Sequence, residues 1–177
     1  MTPTPQRPPG ILRRRRVLGL AALIGVMGLA GPLTAQQDEA VVILEDAQAA
    51  LRLEFDADGL AALPQTEFST STVWTDAVDR YTGVLLRDLL LEAGIDPAEG
   101  AGTVVVHALD GYSATIGFED ITPVAPMLAF LRNGDRMPLR AQGPFWMIFP
   151  YDDDPAFQNE TTYARSVWQV SHLRVER

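Results

Sequence analysis

The chain has 177 residues, with fourteen arginines, no lysine and twenty-three acidic side chains, and a formal net charge of −9. Five of the arginines lie within residues 1–35, so the remainder carries nine against twenty-three, a net of −14 that makes nucleic acid and anionic membrane surfaces poor partners. Cysteine is absent, which excludes disulfides, a thiol nucleophile, a thiolate-held metal and a CxxC redox pair.

The first segment, "RRRRVLGLAALIGVMGLAGPLTAQQ", orders a basic run, an apolar stretch from Val17 to Leu33 and small residues around Ala35. That order predicts a signal peptide over residues 1–35, cleaved after Ala35, and a periplasmic mature protein. The apolar stretch of seventeen residues sits at the lower limit for crossing a bilayer, so retention as an anchor is the alternative. Arg15 and Arg16 leave twin-arginine export open beside the general route. Residues 36–177 then amount to one domain.

In that domain "AVVIL" and "LRLEF" read as strands, the second by its alternation of apolar and charged side chains, and "DADGLAALP" as a turn with a helical start. Leu85, Leu86, Leu89, Leu90 and Ala93 recur at helical spacing, and Gly94 and Pro97 end that helix. "GTVVVHALDGYSATIGFEDI" reads as two strands joined at Asp110-Gly111, a dipeptide suited to a tight turn. "PVAPMLAFLRNGDRMPL" is a short helix or strand followed by a turn at Asn133-Gly134. "FWMIFPY" and "SVWQVSHLRVE" read as two further strands around an acidic loop. "FWMIFP" is apolar at every position, as a central strand is, with Phe145, Met147 and Phe149 facing one way and Trp146 and Ile148 the other. Trp168 in "SVWQV" is expected to face the core, so that its truncation to alanine would cost about 3–5 kcal/mol. The whole is a single α+β domain with mixed sheets.

The segments "YTGVLLRDLLLEAGI", "ALDGYSATIGFEDI", "NGDRMPLRAQGPFWMIFP" and "ARSVWQVSHLRV", in this order, resemble the oxidoreductase molybdopterin-binding domain, the sulfite-oxidase-like fold, over about Trp74 to Val175. The resemblance is strongest to small exported bacterial proteins that carry this domain alone. It implies a mixed-sheet α+β fold with molybdopterin held among loops at one side of the sheets. It also implies that catalytic members ligate molybdenum through one cysteine shortly before a helix beginning at "TGV". Here the matching "FSTSTVWTDAVDRYTG" offers hydroxyls, Ser69 to Thr72, and no sulfur. An alkoxide oxygen is far more basic than a thiolate and a poorer match to the metal. Members that bind the pterin phosphate carry basic groups near "AQGPFWMIFP", where this chain has Gln142 and Phe145-Trp146, and a Lys-Trp pair that appears here as Val167-Trp168.

Other chemistry is thinly represented. His107 and His172 stand in apolar, strand-like settings without a nearby nucleophile, and no Gly-x-Ser-x-Gly elbow occurs. Asp152, Asp153 and Asp154 form either a weak site for a hard cation or a solvated acidic loop. Trp74, Tyr81, Tyr112, Phe145, Trp146, Tyr151, Tyr163 and Trp168 mark either a concave site or ordinary core, with Tyr112, Tyr151 and Tyr163 beside turns. Among the arginines, Arg87 is expected to pair with Asp88 or Glu92, while Arg165 and Arg140 are candidates to hold an anion. The candidate ligand site is therefore Tyr112, Arg140, Tyr151, Tyr163 and Arg165. The expected function is that of an exported, non-catalytic domain that binds a small polar or anionic ligand or a protein partner in a sensory or accessory role. It would carry no cofactor. The alternative is a molybdopterin-dependent oxidoreductase with a non-cysteine ligand.

Overall fold

The computed structural model describes residues 40–177, and the signal-peptide reading of residues 1–35 lies outside them. Two five-stranded sheets pack against each other. The first has the order β2-β1-β10-β5-β6, built from β1 (Val42–Asp46), β2 (Leu51–Phe55), β5 (Thr103–Ala108), β6 (Ser113–Gly117) and β10 (Val170–Glu176). The second runs β3-β4-β7-β8, with β9 also paired to β7: β3 (Thr66–Thr70), β4 (Asp79–Leu85), β7 (Met127–Arg132), β8 (Asp135–Arg136) and β9 (Trp146–Ile148). The first sheet is mixed, because β10 runs parallel to β1 and antiparallel to β5. Three short helices complete the described fold: α1 (Ala57–Ala61), α2 (Leu86–Glu92) and α3 (Glu160–Arg165).

Local chemistry accounts for most of these elements. The carboxylate of Asp56 caps α1 by accepting the Gly59 N–H. α2 buries Leu86, Leu89 and Leu90 and stops at Gly94, whose φ of +73° favours a residue without Cβ. Asn133 and Gly134, both at positive φ, form the turn between β7 and β8. The ambiguous "PMLAFL" run is a strand, and it is apolar throughout because both its faces are covered. Leu128 and Phe130 enter the core between the sheets, and Met127 and Ala129 a second core on the other face of the second sheet. Phe145 and Met147 join the first core and Trp146 and Ile148 the second, as the alternation predicts; Phe149 instead follows Ile148 into the second. His107 and His172 are half-buried cross-strand partners on β5 and β10, and Arg87 pairs with Asp88 at 3.6 Å.

Three expectations are corrected. "TGV" is not a helix start: Thr82, Gly83 and Val84 lie in β4, and the helix begins at Leu86. Gly83 is there because the backbone of β7 runs so close that a Cβ would meet the Leu128 carbonyl oxygen at 2.2 Å. "SVWQV" is not a strand with Trp168 facing the core. The strand starts at Val170, Gln169 takes a φ of +53°, Val167 is the buried side chain, and Trp168 is half-buried, joined to β9 by one bridge to Trp146. Tyr163 and Arg165 therefore stand on α3 and not at the start of a strand.

Candidate functional site: an aromatic cleft

α3 is set by the side chain of Asn159, which accepts the Thr162 N–H at 3.0 Å. Ser166, directly after α3, is 3% exposed and ties the helix to the core. Its hydroxyl donates to the Thr162 carbonyl at 2.7 Å, so it accepts from the Tyr151 hydroxyl, and its carbonyl accepts the Trp146 indole N–H at 3.2 Å. Burial pushes the Tyr151 hydroxyl far above its ordinary pKa, the bond to Ser166 offsetting only part of that. Tyr151 is thus a neutral structural donor.

Beside this tie lies a cleft of about 380 Å³, lined by Trp74, Ala108, Asp110, Tyr112, Tyr163, Ala164, Ser166 and Trp168. Trp74 is its hub. The rings of Trp168 and Tyr163 stand 5.6 and 6.0 Å from it at 79° and 87°, and Trp146 and Tyr151 back it from the core at 5.9 and 6.5 Å. Tyr112 closes the outer side, its hydroxyl donating to the Ala164 carbonyl at 2.8 Å. Asp110 is the one charged residue in this lining, and its Oδ1 accepts the Tyr112 N–H at 2.9 Å.

The structure brings Tyr112 and Tyr163 together here and sets Tyr151 behind them, but it separates the two arginines. Arg165 leaves the cleft: its guanidinium pairs with Asp120 at 2.9 Å and donates to the Thr115 carbonyl at 3.2 Å, in a shallower groove with Glu160. Arg140 is exposed in the short turn Leu139–Ala141 and lines neither groove. The acidic loop is likewise dispersed. Asp152 accepts both the N–H and the hydroxyl of Ser71 at 2.6 Å, bonds that hold its pKa below the ordinary carboxylate value, and Asp154 caps the turn Pro155–Phe157. Among the described residues no group of three acidic or histidine side chains converges to hold a metal, and the side chains of Asp152 and Asp154 fasten their loop. Trp74 and Trp168 were visible only as members of an aromatic set, and Asp110 only as a turn residue; what joins them is tertiary.

The sequence profile of the oxidoreductase molybdopterin binding domain matches residues 42–151, more than half of the chain. The chain belongs to this family. No curated protein matches it. Among solved structures, the chain is similar to the crystal structure of the sulfane dehydrogenase SoxCD from Paracoccus pantotrophus, at 19% identity and a TM-score of 0.57 over 77% of this chain. It spans 38% of that protein's chain, and the likeness concerns the fold.

A molybdenum-bearing pterin of the kind the family name implies does not fit the residues present. The segment where the resemblance calls for a thiolate ends β3 with Thr70, which is 0% exposed; its hydroxyl accepts the Asp152 N–H at 3.1 Å and donates to the Ser71 carbonyl at 3.2 Å. Ser71 is committed to Asp152. The adjoining cleft, with Trp74 as its hub, offers no cation for a pterin phosphate, and its one charge, Asp110, is of the wrong sign.

Proposed function

We propose that this chain is an exported, non-catalytic member of the molybdopterin-binding-domain family that binds a small organic ligand in the aromatic cleft, in a sensory or accessory role. The observation that carries the reading is the cleft's composition: four aromatic side chains and one carboxylate around 380 Å³, with no imidazole, thiol or cation among the lining residues. A space of that size lined by aromatic groups and a few polar ones suits a small molecule; its one hydroxyl nucleophile, Ser166, is buried and bonded to Tyr151 and the Thr162 carbonyl, with no imidazole in the lining to activate it. Export rests on the order of basic run, apolar stretch and small residue in residues 1–35.

The test is native mass spectrometry and metal analysis of protein purified from the periplasm of its own host, grown with molybdate. The expected result is a chain beginning at Gln36, no stoichiometric molybdenum and a small organic mass that dissociates on mild activation. Stoichiometric molybdenum or a bound pterin would overturn the non-catalytic reading, and an intact N-terminus would replace release by anchoring.

A further inference from the structure

The cleft's shape and charge say which class of ligand suits it, given that it is a binding site as proposed above. We infer that it takes a small organic cation, a substituted or quaternary ammonium group, seated among Trp74, Tyr163 and Trp168 and facing Asp110.

Three observations point the same way. The rings of Tyr163 and Trp168 each stand close to a right angle to Trp74, 87° and 79°, with centroids about one ring diameter away at 6.0 and 5.6 Å. These are edge-to-face contacts that fix the three rings against one another, and all three line the one cleft with Tyr112; an aromatic face carries the negative part of the ring quadrupole, which attracts a cation within about 6 Å. The rings are also held. Trp74 is braced by Trp146 and Tyr151, and Tyr112 is fixed by its bond to the Ala164 carbonyl, so the walls need little ordering when a ligand arrives.

The second observation is the charge. Asp110 is positioned by the bond from the Tyr112 N–H to its Oδ1, and among the described residues its Oδ2 has no protein partner. No arginine among the described residues is in the lining, and the nearest in sequence, Arg165, has its charge taken up by Asp120. An anion would meet an unpaired carboxylate and no compensating group. A cation would find both an ion-pair partner and a field of one sign, since residues 36–177 carry a net charge of −14.

The third is the mouth of the cleft. Tyr112, which lines the cleft, is 49% exposed. This is apolar surface left in water at the cleft, and it suits the carbon substituents of an alkylated ammonium better than a small hydrated metal ion or bare ammonium.

The test uses the intrinsic fluorescence of Trp74 and Trp168, checked by calorimetry, on the purified protein. It is titrated with choline, with 3,3-dimethylbutan-1-ol, the uncharged carbon isostere of choline, and with inorganic phosphate. The expected result is saturable binding of choline, binding of the isostere weaker by about tenfold or more, and no response to phosphate. Asp110→Asn keeps an oxygen for the Tyr112 N–H and removes the charge. It should weaken choline about tenfold, leave the isostere unchanged and flatten the salt dependence of choline binding. Trp168→Leu should weaken choline more than the isostere, and melting curves of both variants report whether the fold is kept. Equal affinity for choline and its isostere, or binding of phosphate in place of choline, overturns the cation assignment and leaves the cleft a ligand site. No saturable response to any of the three also overturns it. If in addition no small molecule co-purifies, the binding reading falls with it.

Discussion

Trp146 and Trp168 face each other across a single bridge, yet their surroundings differ and so should the cost of losing them. Trp146 is 0% exposed, packs on Trp74 and Tyr81 and donates its indole N–H to Ser166, so Trp146→Ala should lower stability by about 3–5 kcal/mol. Trp168 forms a wall of the cleft and is half-buried, so its truncation should cost about half as much or less, as judged by urea midpoints at constant slope. Asp46 is the corresponding case for a charge. Burial would raise its pKa, but the N–H groups of Ala49 and Gln48 and the Arg177 guanidinium outweigh it and hold the carboxyl below its ordinary 3.8. Asp152 is lowered too, by the hydroxyl and N–H of Ser71. A carboxylate with a depressed folded-state pKa binds fewer protons when folded than when unfolded. The stability from both is therefore complete above about pH 4 and is lost as pH falls through their folded-state values. Melting temperature measured against pH should drop on the acid side, less steeply in Asp46→Asn, which starts from a lower stability. An unchanged acid limb in that variant would contradict the assignment.

At the level of elements, two junctions decide whether the cleft forms. β4 and β7 approach so closely at Gly83 that any side chain there collides with backbone, which cannot swing aside. Gly83→Ala should force the strands apart and cost about 1–3 kcal/mol, at the upper end if the bulge beside it cannot absorb the shift. α3 is the other junction. It spans six residues, too few to be stable alone, and depends on its Asn159 cap and on Ser166. Asn159→Ala should cost about 1 kcal/mol. Because Tyr163 and Ala164 ride on this helix, amide exchange in residues 160–166 should speed up more than in β5 or β10, and ligand affinity should fall with it. Uniform acceleration across the molecule would show that the cap stabilises the whole fold and not the helix.

For the molecule as a whole, the placement of β10 between β1 and β5 joins a C-terminal strand to two strands from earlier in the chain, and it is what brings Trp168 and Ser166 beside Trp74. The sequence by itself determined the composition-level facts and the local ones: absence of thiols, the acidic excess, α2 from its leucine spacing, the turns at Asp110-Gly111 and Asn133-Gly134, and the family from the order of its segments. Those depend on neighbours within a few residues, where periodicity and glycine conformation act directly. It misplaced Trp168, because an apolar alternation reads the same whether it pairs as a strand or lines a cleft. It did not reveal that Arg165 pairs with Asp120, because the two are forty-five positions apart and chain distance hides an ion pair. Only the tertiary structure decided which aromatic rings meet at right angles and that Asp110 is the one charge among them. Contacts between residues far apart in sequence are fixed by sheet order and close packing, which no local pattern encodes.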